Sequence, residues 1–148
     1  MIIRDYQETD ILEIRKVIRK SLDAVVLKYY SRDVVKKIYQ YYDSEKIKEF
    51  EKVFVSEENN EINGCVAFTS NEIKMLYPDP EFRKRAYVAV MLLEYSKEQI
   101  RKNGFSKAIG QALESSKDFL GKQGELGNSY LEKIGNVEFK VTPVSIDL

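Results

Sequence analysis

The chain has 148 residues, 43% of them hydrophobic, which suits one domain with one core and is too short for two well-packed ones. Lys plus Arg and Asp plus Glu number 24 each, so the formal net charge is zero and no global field favours nucleic acid. Histidine is absent and Cys65 is the single cysteine, which excludes Ser-His-Asp and Cys-His catalysis and an intrachain disulfide, and leaves a metal site to carboxylates alone. One cysteine suits a reducing cytosol. No long apolar run suggests a signal peptide or a membrane span, so the expectation is a soluble, cytoplasmic protein with no metal.

Ile2 and Ile3 suit a short opening strand. Thr9-Asp10-x-x-Glu13 reads as a capped helix start ahead of Ile11, Ile14, Val17, Ile18 and Leu22. A second amphipathic helix is expected from a cap at Ser31 through Val34, Val35, Ile38 and Tyr42, and a short third one from Ser44 through Ile47 and Phe50. Val53 to Val55 and the set Ile62, Gly64, Val66, Phe68 predict a hairpin across the polar turn Glu58-Asn59-Asn60-Glu61. Ile73, Met75 and Tyr77 alternate with Lys74 and Leu76 as a third antiparallel strand, which Pro78-Asp79-Pro80 ends.

Beyond that break, Ala89, Leu92, Leu93, Ser96 and Ile100 recur at helical spacing up to a stop at Asn103-Gly104. The start of this helix carries Arg83, Lys84 and Arg85, and its free N–H groups and positive dipole end would suit an anion. Ala108 to Leu113 reads as a strand interrupted by Gly110, Ser115 to Gly127 as a loop, and Asn128 to Ile134 as a short helix ending at Gly135. Val137, Phe139 and Val141 form a strand that Pro143 breaks, and Val144, Ile146 and Leu148 resume it. No repeat, linker or internal boundary appears, so residues 1–148 form one domain.

The stretch Leu76-Tyr77-Pro78-Asp79-Pro80-Glu81-Phe82-Arg83-Lys84-Arg85-Ala86-Tyr87-Val88 resembles, without a gap, the cofactor motif of the GNAT acetyltransferase family. That motif runs hydrophobic-Tyr-Val-x-Pro-Glu-Tyr/Phe-[Arg/Gln]-x-x-Gly-x-[Gly/Ala]. The order of elements follows the same family over essentially the whole chain. The resemblance implies an α+β (α/β) single-domain GNAT fold, with a mixed, mostly antiparallel central sheet flanked by helices. It implies acetyl-coenzyme A or coenzyme A as cofactor, the pantetheine arm lying along Leu76 and Tyr77 and the pyrophosphate on Arg83, Lys84, Arg85, Ala86, Tyr87 and Val88. The acceptor would be an amine on a small molecule or a peptide, and the tyrosine-rich helices and terminal strands could form a homodimer; no nucleic acid or membrane is implied.

Five positions depart from the family pattern. Ala86 and Val88 stand where glycine lets the backbone approach a ligand and take positive φ freely. Pro78 stands where an N–H would point at the thioester oxygen, and one lost oxyanion donor costs about 2.7 to 4 kcal/mol of the barrier. Leu131 occupies the place of the family's acid in Tyr130-Leu131-Glu132-Lys133-Ile134-Gly135, leaving Tyr130, one residue earlier, as the candidate acid. Gly124 stands where many members have an asparagine. Glu72, at the start of the central strand, matches the place where some members carry a general base. Tyr29, Tyr30, Tyr39, Tyr41 and Tyr42 either wall the acceptor site or pack on the sheet. Two readings follow: an N-acetyltransferase acting on a primary amine with a weakened motif, or a non-catalytic GNAT-fold binding or regulatory module.

Overall fold

The computed structural model of the protein describes residues 1–82 and 84–148, and Arg83 lies outside them. β1 (Ile2–Asp5), β2 (Lys52–Glu58), β3 (Glu61–Thr69) and β4 (Glu72–Pro78) pair antiparallel in sequence order. β5 (Lys107–Leu113) runs parallel to β4, and β8 (Val137–Asp147) returns antiparallel to β5. The far side of β8 carries β7 (Tyr130–Ile134) along Val137–Val141 and the two-residue β6 (Glu125–Leu126) at Val144 and Ser145. Asn59 and Asn60 close the β2–β3 hairpin with φ of 54° and 63°. A two-residue turn matching strand twist needs positive φ at both positions, which asparagine tolerates better than most residues.

Helices cover both faces of the sheet because its central strands bury both of theirs. α1 (Ile11–Ala24), α2 (Arg32–Tyr41) and α3 (Ser44–Glu49) lie on one face, where Ile14, Ile18, Leu22, Ile38 and Ile47 meet Val55, Cys65, Ala67, Met75, Phe139 and Val141. α4 (Arg85–Lys102) lies on the other, joining Val88, Leu92, Leu93 and Ile100 to Phe54, Val66, Phe68, Ala108, Val144 and Ile146. α5 (Lys117–Gln123) adds Phe119 and Leu120 to that second core. Among the described residues no helix is long and apolar enough to cross a membrane.

Two extra residues bend the central strands. The register between β2 and β3 slips at Asn63, and that between β3 and β4 slips at Lys74, where Ala67 pairs with Met75 but Phe68 pairs with Ile73. Each is a bulge, which turns the strand and raises its twist. Across Lys74 the inward face changes, so that Ile73 joins the α4 core while Met75 and Tyr77 join the α1 core.

Several expectations are corrected here. Asn128 to Ile134 is not a helix: Tyr130–Ile134 pairs with β8 residue by residue, and Gly135 takes its positive φ of 61° at the next bend, not at a helix end. The stretch Ser115 to Gly127 is not a loop but holds α5 and β6. Pro143 does not break the last strand. Gly127 donates its N–H to the Pro143 carbonyl, so the side of Pro143 that lacks a donor faces the interval between β6 and β7, where no ladder bond is lost. Ser31 does cap α2 through the Val34 N–H at 3.3 Å, but α3 is capped by Asp43 through the Lys46 N–H, not by Ser44. The start of α1 is organised by Asp10 after a single 3-10 turn (Glu8–Asp10), with no cap from Thr9.

Asp10 is also an anchor. Its carboxylate takes both Arg4 nitrogens at 2.8 and 3.0 Å and the Gln7 N–H at 2.8 Å, while Arg4 reaches on to Glu57 at 3.2 Å. One buried carboxylate thus ties β1 to α1 and, through Arg4, to β2.

Gly64→Ala should be among the costliest single-methyl additions. A Cβ there would lie 2.8 Å from Leu92 Cδ1, Val88 Cγ1 and Ser56 Oγ, so these packed side chains, or α4 with them, must shift. A loss of about 1–3 kcal/mol is expected in denaturant unfolding. The hydrogen bonds from Arg4 hold the Asp10 carboxyl below its usual range. With the folded-state value below the unfolded one near 3.9, its contribution is complete above that pH and fades as pH falls through the folded value. Asp10→Asn should therefore cost about 1.5–3 kcal/mol at neutral pH. The gap from wild type should close in acid, as followed by unfolding midpoints from pH 7 to pH 2.

Candidate functional site

Parallel pairing of β4 with β5 extends only over Glu72↔Ile109 and Ile73↔Gly110, after which the strands part. The bulge at Lys74 turns β4 away just beyond the last pair. The two arms end at Tyr77 and Pro78 on β4 and at Ala112 and Leu113 on β5, and α4 begins shortly after the first. Along an extended strand successive N–H groups alternate sides. Asp79 donates to the Asn63 carbonyl of β3 at 2.8 Å, so the amide position of residue 78 faces the cleft, and Pro78 leaves it without a donor.

The turn into α4 is built by side chains and short bonds, without glycine. Asp79 accepts the Glu81 N–H on its side chain at 2.9 Å and the Phe82 N–H on its carbonyl at 3.1 Å, and Phe82 accepts the Arg85 N–H at 3.0 Å. Lys20 of α1 holds the turn through Asp79 at 3.3 Å and Glu81 at 3.1 Å. Lys84, Arg85, Ala86 and Tyr87 are exposed at the helix start; Arg83 falls outside the described residues. Ala86 and Val88 lie inside α4, and neither has positive φ, so the backbone cost expected of replacing glycine there does not arise. Val88 is fully buried and bonds its N–H to the Lys84 carbonyl at 3.0 Å, so this position faces the core and not the opening of the turn. Its bulk is received by Gly64 of β3.

On the α2 side, tyrosine hydroxyls take up backbone groups on both arms. Tyr42 donates to the Lys74 carbonyl at 2.9 Å and packs edge-on against Tyr77, with ring centroids 5.8 Å apart. Tyr30 donates to the Lys140 carbonyl at 2.7 Å and accepts the Glu114 N–H at 2.8 Å, just past the end of β5. Burial raises the Tyr77 phenol well above its ordinary range and pushes the Cys65 thiol up to about 12. Both stay protonated, and Cys65 is a packing residue. Arg15 and Arg19 lie 4.5 and 4.9 Å from the Tyr39 ring centre, while Tyr29 and Tyr41 remain exposed.

The two candidates for proton transfer meet in one place. Glu72 and Tyr130 both line a depression of about 550 Å³ on the α2 face of the sheet, beside the point where β4 and β5 part. Ile109, Gly110 and Gln111 of β5, Pro143, Val144 and Ser145 of β8, and Glu125 to Gly127 complete it with Lys107. The Glu72 carboxylate lies 3.0 Å from Lys74 Nζ. Partial burial, with Glu132 and Glu72 nearby, raises the Tyr130 hydroxyl above its ordinary range, which keeps it a donor at neutral pH. Because Tyr130 stands on a strand and not on a helix, Leu131 points to the opposite face and is 64% exposed. Leu76 is partly buried in the α4 core, and Tyr77 is buried in the α1 core. Sequence reading missed Gln111 and Glu125, whose only signal was alternation in a strand weakened by Gly110 and in a stretch read as loop.

No protein-family model and no curated protein sequence matches the chain. Solved structures do. A GCN5-related N-acetyltransferase from Rhodopseudomonas palustris superposes with a TM-score of 0.91 at 16% identity, covering 99% of this chain and 95% of that one. The PaiA N-acetyltransferase from Thermoplasma acidophilum, in complex with coenzyme A, gives 0.74 at 16% identity over 99% and 98%. YncA from Salmonella typhimurium, with its cofactor acetyl-CoA, gives 0.65 at 15% identity over 99% and 93%. At such identities the likeness speaks for architecture. With the parted β4 and β5 strands and matches over nearly every residue, the chain has the GNAT N-acetyltransferase fold.

Proposed function

We propose that the protein is an N-acyltransferase that takes acetyl-coenzyme A in the cleft between β4 and β5 and passes the acetyl group to a primary amine. The observation that carries the reading is the parting of β4 and β5 after two residue pairs, beside a helix start bearing exposed Lys84 and Arg85. A split parallel pair leaves backbone groups for an extended pantetheine arm. A basic first turn suits a pyrophosphate. When bound, acetyl-coenzyme A would supply an activated acetyl thioester.

In this reading Glu72 takes the ammonium proton, so that a neutral amine faces the acyl carbon, and Tyr130 or water returns a proton to the departing sulfur. Glu72 shares its charge with Lys74, 3.0 Å away, and the approach of an amine along the same carboxylate would loosen that pair. Most of the acceleration would come from holding the two reactants together.

A second reading, a binding or regulatory module that holds coenzyme A without turning it over, is favoured by one specific observation. Pro78 offers no N–H at the cleft-facing position that would meet the thioester oxygen.

Calorimetric titration with acetyl-coenzyme A tests what the two readings share, and thiol release tells them apart. Binding that weakens tenfold or more, about 1.4 kcal/mol, in a Lys84→Ala/Arg85→Ala variant is expected of both. The absence of heat at millimolar ligand would remove both. Thiol release on adding a panel of primary amines is expected of the transferase alone, and binding with no release would leave the module.

A further inference from the structure

The depression beside Glu72 has a chemical character of its own. We propose that it is the acceptor subsite and that it takes a primary ammonium carried on an unbranched apolar chain. As a statement about the acceptor it rests on the transferase reading, although the binding it asserts can be tested without turnover.

Its floor is apolar across neighbouring strands. Ile109 is 41% exposed on β5, and Pro143 stands opposite Gln111 on β8. Tyr130, 40% exposed, pairs with Val141 on the same face, whereas Leu126 and its partner Val144 turn their side chains to the α4 core. A single exposed isoleucine needs no explanation, but a run of apolar groups along a concave lining is what an alkyl chain would cover. The lining carboxylates are Glu72 at the parting of the strands and Glu125, which pairs with Ser145 across β8. Among the described residues, Lys107 of the lining leans towards Asp147 at 3.8 Å, and Lys74 is on Glu72 at 3.0 Å.

An ammonium at Glu72 would stand at the vertex of the cleft, with the face of Tyr130 available as a second attraction for a cation. Its chain would then run over Ile109 and Pro143 towards Glu125. Towards Tyr77 and Leu113 the Tyr42 and Tyr30 hydroxyls are already engaged, on the Lys74 carbonyl and on the Glu114 and Lys140 backbone. Lys74 must share Glu72 with the newcomer, so weak binding is expected.

The test is amide NMR of the isotope-labelled full chain titrated with n-butylamine, n-hexylamine and n-hexanol at neutral pH. Shifts are expected at Gly110, Gln111 and Gly127 with the amines, tightening about two- to fourfold per added methylene, and at least tenfold weaker with the alcohol. Ile109→Lys, at an exposed position, and Glu125→Gln should each weaken hexylamine at least threefold while the remaining amide spectrum stays that of the folded chain. Equal binding of amine and alcohol, shifts located elsewhere, or no shift at high millimolar amine would overturn the proposal. So would an Ile109→Lys chain that changes its oligomeric state and leaves amine binding intact, since the face would then be an interface between copies. A parallel coenzyme A titration keeps the two ideas apart: amine binding without coenzyme A binding removes the transferase and leaves an ammonium site, and the reverse removes only this subsite.

Discussion

The extra residue at Lys74 is the constraint on which the arrangement around the cleft depends. Without it β4 would keep step with β3, and its alternation would send Ile73, Met75 and Tyr77 to one face. With it, Ile73 stays under α4 while Met75 and Tyr77 turn to the α1 core, and β4 leaves β5 one residue after their last pair. A bulge always leaves a backbone group poorly paired. Here the Lys74 carbonyl is taken by the Tyr42 hydroxyl, so the helical layer and the parted strands stabilise each other.

A second constraint lies beneath α4. The first turn of that helix sets the buried Val88 against the sheet, and β3 makes room for it on the other side of the contact. Gly64 has no side chain, so Val88 and Leu92 settle against β3, and the buried Ser56 hydroxyl bonds Asn63 at 2.6 Å beside them. Close packing requires that the sum of facing volumes be right, not that either residue be fixed. The helix is thereby seated on β3, with Lys84 and Arg85 exposed at its start.

Charge is distributed along the same lines. The network of Arg4, Asp10 and Glu57 is structural, binding the first strand to the first helix far from the cleft. The pair of Glu72 and Lys74 stands at the parting of the strands, and Glu72 lines the depression there. Lys20 joins α1 to the turn before α4 through Asp79 and Glu81. One helix of the α1 layer thus reaches the turn that leads into α4.

The sequence by itself determined the three-strand meander, the helices α1, α2 and α4 and the basic turn, because each is announced by short-range periodicity and by its own stop residues, such as Asn103-Gly104 after α4. In the last third of the chain it pointed to β5 and to both halves of β8, but not to the segment between these strands or to the continuity of β8. Tyr130–Ile134 carries no strong period, and a glycine with positive φ ends a helix or turns a strand equally well, so only the ladder to β8 made it a strand. Pro143 reads as a break until the gap between β6 and β7 shows which side its missing donor faces. The partnership of Val88 with Gly64, 24 residues apart in the chain, and of Glu72 with Tyr130, 58 apart, likewise exists only in three dimensions. Local propensity reports what one segment can become, and the pairing of distant surfaces selects among the possibilities.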